Sequence, residues 1–300
     1  MRRFVDLHTH STASDGALDP ARLVRLADAA QLAAVALTDH DTTDGLAAAR
    51  AAAATFPELT FVAGIEISAA FPRGTMHLLG LGVDENAPPL RDALQRLQAA
   101  RAERNPKMVA RLAELGIEIT MDDVKAVASE LRGGKTGAII SRPHIAEAMR
   151  RKGYVSSVAD AFERYLGAHA PAYVHKQRLT PRESVSVIAA AGGVTVLAHP
   201  KQMRYTNHAQ LRLIVRELAS LGLGGIEAYH TDHTADDTRL FLKLANEHGL
   251  LVTGGSDFHG ATKPEACLGR PRVPLSVVMS HPAGRRLLGG NPADRNLPRR

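Results

Sequence analysis

The sequence predicts an α/β fold, with strands and helices alternating in a parallel sheet or barrel. Two observations carry that expectation. Short runs such as Ala33-Ala34-Val35-Ala36-Leu37 are apolar throughout, as strands buried on both faces are. Segments with apolar residues at helical spacing separate them, and that alternation is the pattern of α/β proteins. A third observation concerns chemistry: the strands repeatedly finish in His, Asp or Glu, and in parallel barrels reactive groups gather where strands end.

Taken in order, Phe4 to Leu7 reads as a short buried strand running into Asp6-Leu7-His8-Thr9-His10-Ser11-Thr12-Ala13-Ser14-Asp15-Gly16. A side-chain period of two puts His8 and His10 on one face, close enough to share a metal ion. Asp15 follows on a Ser/Asp/Gly loop able to fold back over them. Asp19-Pro20 starts a helix over residues 21–31, with Leu23, Leu26, Ala27 and Ala30 on one side. The strand 33–37 ends at Thr38-Asp39-His40-Asp41-Thr42, and a helix over 45–55 follows. A strand over 59–67 ends in Gly64-Ile65-Glu66-Ile67-Ser68, and Met76 to Gly82 forms another, with His77 near its start.

From Pro88 the texture changes. Residues 88–178 carry helical patterns (90–104, 106–115, 121–131, 143–151 and 156–165) rich in Arg and Lys, without a convincing strand. We read this stretch as a helical insertion that caps the barrel, and residues 1–87 with 179–285 as the barrel itself. The α/β rhythm resumes with a helix over 181–191 and a strand over 193–198 ending at His199-Pro200. Helix 210–221 leads to strand 225–229, and helix 235–248 to strand 250–253. That last strand ends at Gly254-Gly255-Ser256-Asp257-Phe258-His259-Gly260. Beyond about residue 282, and through the basic stretch 286–300, the chain reads as a loosely ordered tail. There is no internal repeat.

Composition narrows the class. At 300 residues the chain can bury a large core. The absence of an 18-residue apolar run or a signal-peptide layout gives the expectation of a cytoplasmic protein without a membrane segment or a stable protein partner. One cysteine, Cys267, forbids an internal disulfide or a multi-thiolate metal site. The net charge of +6, with few aromatics, suits phosphate-bearing small molecules or short nucleic acid better than base-stacking recognition of long strands.

Set against the lone-histidine alternative of a hydrogen-bonded core residue, the repeated placement at strand ends argues for metal chemistry. Imidazole and carboxylate donors without thiolate suit Zn, Mn or Fe. Nine candidates (His8, His10, Asp15, His40, Glu66, His77, His199, Asp257 and His259) exceed what one ion needs. They imply two or three divalent ions, with Glu66 as a bridging carboxylate.

The blocks HTHSTASDG, TDHDT, GIEIS, HLLGLG, AHP and SDFHG together resemble the PHP (polymerase and histidinol phosphatase) superfamily, over nearly the whole chain. The resemblance implies a distorted seven-stranded (βα)7 barrel with a trinuclear metal site. The branch it is most similar to consists of stand-alone nucleoside 3′,5′-bisphosphate phosphatases and 5′-to-3′ exoribonucleases acting on short RNA. By that resemblance His8, His10, Glu66 and Asp257 hold a first ion, Glu66, His77 and His199 a second, and Asp15, His40 and His259 a third. His144 competes with His77 for its place. Manganese is the first expectation for the ions, with zinc or iron as alternatives.

The resemblance also implies metal-assisted phosphomonoester hydrolysis, with His199, His259 and Asp15 as the catalytic candidates. His199 or His259 would supply the proton to the leaving oxygen. Within the insertion, Arg101, Arg104, Asn105, Arg142, His144 and Lys176 are the candidates for gripping a second phosphate. Arg makes bidentate contacts to phosphate, and Ser141 as an N-cap would open a helix N-terminus toward an anion. Solvated surface arginine is the alternative for most basic residues here.

Three features are read as decoys. Gly133-Gly134-Lys135-Thr136 ends like a Walker motif, but Ser129 stands where the first glycine is needed. Tyr229-His230-Thr231-Asp232-His233 with Asp236-Asp237 is read as a polar loop and helix start. Ser14 and Ser256 lack a base partner. Alternatives to the phosphatase reading are a histidinol-phosphate phosphatase, an amidohydrolase (which usually needs a strand-end lysine), and a metal-bound regulatory module.

Overall fold

A computed structural model describes residues 2–72, 76–131 and 139–289. The Walker-like segment and residues 290–300 lie outside them. The barrel strands are β1 (Phe4–Asp6), β2 (Ala34–Leu37), β3 (Thr60–Ala69), β4 (Met76–Leu81), β5 (Val194–Leu197), β6 (Gly225–His230), β7 (Leu251–Gly255) and β8 (Val273–Pro274). They form one sheet in the order β7-β6-β5-β4-β3-β2-β1-β8. The ends of the sheet meet: Leu7 N–H donates to Gly254 O at 3.1 Å and Asp257 N–H to His8 O at 3.0 Å. The result is a nearly closed barrel, with β8 an antiparallel two-residue addition to β1.

Period-two alternation sorts the side chains. Val5, Ala36, Val62, Leu79, Leu81, Val196 and Leu251 fill the barrel interior. Val35, Leu37, Phe61, Ile65, Ile67, Leu78 and Ile226 face the surrounding helices. That register puts Glu66 on the same inward face as Val62, and His77 on that of Leu79 and Leu81. Gly255 is required where β7 closes on β1, because a Cβ there would lie 2.4 Å from His8 Cβ.

The expectation of uniformly parallel strands fails at β4, which pairs antiparallel with both β3 and β5. Residues 70–75 are too few for a parallel crossover. The reversal brings the start of β4, and with it His77, to the rim where the other strands end.

The barrel helices are α1 (Pro20–Ala29), α2 (Leu46–Ala53), α7 (Pro181–Ala190), α8 (His208–Leu221) and α9 (Ala235–His248). The helical layer comprises α3 (Pro88–Glu114), α4 (Met121–Leu131), α5 (Arg142–Arg151), α6 (Val158–Ala161) and a π-helical turn Phe162–Leu166. Two helices expected over 90–104 and 106–115 are one continuous α3 running through Pro106. Proline removes one backbone bond. The stripe Arg101, Arg104, Asn105, Met108 and Leu112 is buried along the same side, and it holds the helix together across that loss. Leu90, Ala93, Leu94 and Leu97 of α3 pack in the barrel's outer core. Met108, Val109 and Leu112 pack with Val124, Ile145 and Leu166 in a separate core. The change from barrel to helical layer therefore falls inside α3 rather than at residue 88, and Leu179 rejoins the barrel core. After α10 (Leu275–Met279), the described part of the chain expected to be loose beyond residue 282 instead forms α11 (Pro282–Leu288), with Leu288 buried against the barrel-interior core.

Candidate metal centre and phosphate pocket

β1 ends at Asp6, yet the alternation continues past it because Thr9 bridges to Phe258. Thr9 turns outward, its hydroxyl donating to Ala36 O at 2.6 Å. His8 and His10 therefore point the same way, with ring centroids 5.2 Å apart. Buried carboxylates away from the centre hold the loops. Asp39 accepts from Ser11 N–H and from the hydroxyls of Ser11 and Ser14. Asp6 accepts from the backbone N–H groups of Ser256 and Gly269 and from the Ser256 hydroxyl. The serine hydroxyls are thus structural donors, consistent with reading them as decoys.

All nine candidate ligands converge on one rim. Glu66 is fully buried and lies at the middle: Oε2 is 3.4 Å from His8 Nε2, 3.3 Å from His10 Nε2 and 2.9 Å from His40 Nδ1. Its Oε1 is 2.7 Å from His77 Nδ1 and 3.0 Å from His199 Nε2. Asp257 Oδ1 stands 3.2 Å from His10 Nε2. Asp15 is 3.4 Å from His259 and 3.9 Å from His40. His8 with His10 and Glu66, His40 with Glu66 and His77, and His10 with Asp15, His40 and His259 each bring donor atoms close enough to hold one ion.

His199 Nε2 lies within hydrogen-bond reach of Glu66 Oε1 and His77 Nδ1, but other donor atoms are unpaired. His8 Nε2, both nitrogens of His10, His40 Nδ1 and Glu66 Oε2 are buried without a hydrogen-bond partner, despite these short separations. Buried polar atoms left in that state are costly, and metal coordination would satisfy them. Tautomers agree: His8 Nδ1–H donates to Glu227 at 3.1 Å and His259 Nδ1–H to Asp257 O at 2.8 Å, leaving each Nε2 lone pair free for an ion.

The electrostatics favour cations. Burial works to raise the carboxyl pKa values of Glu66, Asp257 and Asp15, but the surrounding imidazoles hold all three well below the carboxylate range. Burial, with His199 and His40 nearby, pushes His77 down to about 4 against the pull of Glu66, so its imidazole is neutral. Backbone at three of these corners is left-handed, with φ of 24° at His199 and 53° at Asp41 and Asp257. Such strain tends to collect at functional sites.

The substrate candidates divide. Arg101 and Arg142 line the same cavity as the metal donors, about 430 Å³ in volume, together with Ser141, Pro143 and Phe162 of the helical layer. Arg104 and Lys176 line a separate cavity of about 320 Å³ with Arg96, Glu103 and Lys107. Arg101 and Lys176 both contact Asp41 Oδ2. Asn105 is committed to Arg104 Nε and Ile140 O. His144 Nδ1 accepts from Ser141 N–H at 3.0 Å, closing a capping box at the start of α5. That places His144 apart from the metal clusters, and His77 among them.

Sequence reasoning passed over four residues that pack around the donors and the cations facing them. Glu227 is a charge inside the apolar strand β6, which was a usable signal. His230, read as part of a polar loop, is buried, and its Nδ1 accepts from Asp232 N–H. Its Nε2 therefore carries the proton, 3.6 Å from Asp257 Oδ2. Lys263 donates to the same oxygen at 2.8 Å. Asp41 sits beside His40 in TDHDT, where one histidine drew the reading.

Residues 6–281 match the PHP domain family. A 3′,5′-nucleoside bisphosphate phosphatase of Chromobacterium violaceum is 38% identical over 255 residues, 85% of this chain and 87% of that protein. The 5′-3′ exoribonuclease Rnm of Escherichia coli is 32% identical over 256 residues, 85% of this chain and 84% of that protein. A solved structure from Chromobacterium violaceum, described as an amidohydrolase with bound sulfate and no metal, superposes with a TM-score of 0.85. It is 34% identical and covers 98% of this chain and 99% of its own. With the fold, the clustered donors and a match over nearly the whole sequence in agreement, this chain belongs to the PHP domain family.

Proposed function

We propose that this chain is a metal-dependent phosphoesterase that removes one phosphate from nucleoside 3′,5′-bisphosphates and also trims short RNA from its 5′ end. One observation carries the reading: the cavity of the metal donors is lined by Arg142, with Arg104 close behind it, and neither cation is matched by a carboxylate among the described residues. Arg104 and Arg142 are buried or nearly so, and among the described residues neither has a salt bridge. Burial, with Arg142 and Arg101 close by, pulls Arg104 down to about 9. Burial likewise brings Arg142 to about 10. A second phosphate would relieve that uncompensated charge.

Two or three ions, manganese first, would be held as the three sets given above. Divalent ions held there would supply Lewis acidity toward the phosphate and would lower the pKa of water so that it can attack near neutral pH. The chain's own groups do the rest. Arg142 and Arg101 orient the substrate in the cavity. With Nδ1–H of His259 held by Asp257 O and its Nε2 turned to an ion beside Asp15, His199 is the group left to deliver the proton to the leaving oxygen. Beyond Arg101 a cavity of about 560 Å³ lined by Ala102, Pro106, Met121, Ile139 and Ile140 offers apolar room for any base. We place the enzyme in the cytoplasm; no helix among the described residues is long and apolar enough to cross a membrane.

Histidinol phosphate fits poorly, since its amine would meet Arg101 and Arg142 rather than a carboxylate outside the metal set. The relative described as an amidohydrolase raises C–N hydrolysis. Here Lys263 lines the same cavity, and its ammonium is committed to the outer oxygen of Asp257 at 2.8 Å. The relatives named as a bisphosphate phosphatase and an exoribonuclease support the phosphate reading. Phosphate release from adenosine 3′,5′-bisphosphate with Mn²⁺ tests it, and an inert protein with full metal content contradicts it.

A further inference from the structure

Asp41 joins the two halves of the pocket. It follows His40, so it lies one Cα step of about 3.8 Å from a metal donor. Its own backbone is pinned: Asp41 N–H donates to Glu66 O at 2.9 Å, and Gln98 of α3 donates to Asp41 O at 3.3 Å. Oδ1 accepts from Ser68 N–H at 3.1 Å. Oδ2 then takes Arg101 through Nε at 3.0 Å and through Nη2, and Lys176 Nζ at 3.1 Å. The residue is wholly buried, so this carboxylate cannot swing aside. Arg101 keeps Nη1 and one Nη2 proton free, and Lys176 keeps two protons, so both can still donate to an anion. A metal-facing histidine and the two cations are thereby held by consecutive residues.

We propose that Asp41 is a positioning residue that sets the distance between the phosphate that is cleaved and the phosphate that is held. The proposal rests on the bisphosphate reading. Without the carboxylate, Arg101 and Lys176 repel each other and nothing ties them to the metal rim. Substrates with two phosphates need that spacing, whereas substrates with one do not.

The test compares wild type with Asp41→Asn, which tolerates the left-handed backbone, and Asp41→Gly, which adopts it without strain. Adenosine 3′,5′-bisphosphate, adenosine 3′-monophosphate and adenosine 5′-monophosphate serve as substrates, with metal content measured alongside. Both variants should raise KM for the bisphosphate on the order of 10- to 100-fold, the range for losing charge-assisted hydrogen bonds. Bound metal, kcat and the monophosphate constants should stay near wild type. Equal losses on all substrates, or loss of metal, would reduce Asp41 to a structural role. A lower bisphosphate KM would make it a latch that substrate displaces, and either result overturns the proposal. A wild type inert on the bisphosphate would sink the functional reading instead. Sulfate titration then decides on Asp41 alone: sulfate should raise the melting temperature of wild type and raise that of Asp41→Asn less, and an equal rise overturns the proposal.

Discussion

Glu227 Oε1 lies 3.1 Å from Nδ1 of His8, the ring nitrogen turned away from the metal cluster, and Glu227 Oε2 accepts the His199 backbone N–H at 2.7 Å. One buried carboxylate from β6 thus orients two candidate ligands from different strands. The neighbouring imidazoles keep its carboxyl ionised, with a pKa of about 2 despite burial.

Glu227→Gln should therefore weaken metal binding by roughly 10- to 100-fold, the usual effect of removing a partner that orients a ligand. Metal retained against a competing chelator is the readout, and excess metal should restore activity. Unchanged retention would show that His8 is oriented without Glu227.

The proposed direct ligands should behave differently. Asp257→Asn and His10→Ala should lose metal and activity together while keeping the fold, as read by elemental analysis and circular dichroism. Asp257→Asn with full metal and near-normal turnover would remove Asp257 from the centre.

Arg142 stacks on Phe162 and Tyr173, 5.2 and 5.6 Å from the ring centroids, and donates to Leu166 O. Arg142→Ala should weaken kcat/KM for bisphosphates more than for monophosphates by about 1–3 kcal/mol. Arg142→Lys should recover only part of this, because an ammonium lacks the planar fork. Equal losses on both substrates would contradict a role in gripping the held phosphate.

Lys176 gives a pH signature. Burial, with Arg101 nearby, brings it from 10.5 to about 8, only partly offset by Asp41. Above pH 8 the folded protein loses this charge, so KM for bisphosphates should rise. Between pH 8 and 10.5 the unfolded chain binds the extra proton, so this group's contribution to stability rises with pH over that window. Weaker binding alongside rising stability separates the effect from alkaline unfolding. Lys176→Met should abolish both trends, and a KM flat from pH 7 to 9 in wild type would contradict the assignment.

The clustering of candidate donors was legible because strand ends announce themselves: apolar runs stop at His8, His40, His199 and Asp257, whereas Glu66 is a lone charge inside the apolar β3. Reversal of β4 was legible too, from the short link over 70–75, but uniform apolarity suggests parallel strands and masks it. Continuous helix through Pro106 was not, because local propensity says break while the buried stripe from Arg101 to Leu112 says continue, and burial is settled only in three dimensions. The partners of Arg101 and Lys176 were equally hidden. A carboxylate 60 residues before Arg101 and 135 before Lys176 leaves no local pattern.

The central claim is that the metal rim and the basic layer above it together read two phosphates. Measuring kcat/KM side by side for adenosine 3′,5′-bisphosphate, a short 5′-phosphorylated RNA and histidinol phosphate, in Mn²⁺, tests it most directly. The account predicts efficient turnover of the bisphosphate to a nucleoside monophosphate and phosphate, trimming of the RNA from its 5′ end, and poor use of histidinol phosphate. A clear preference for histidinol phosphate would contradict it.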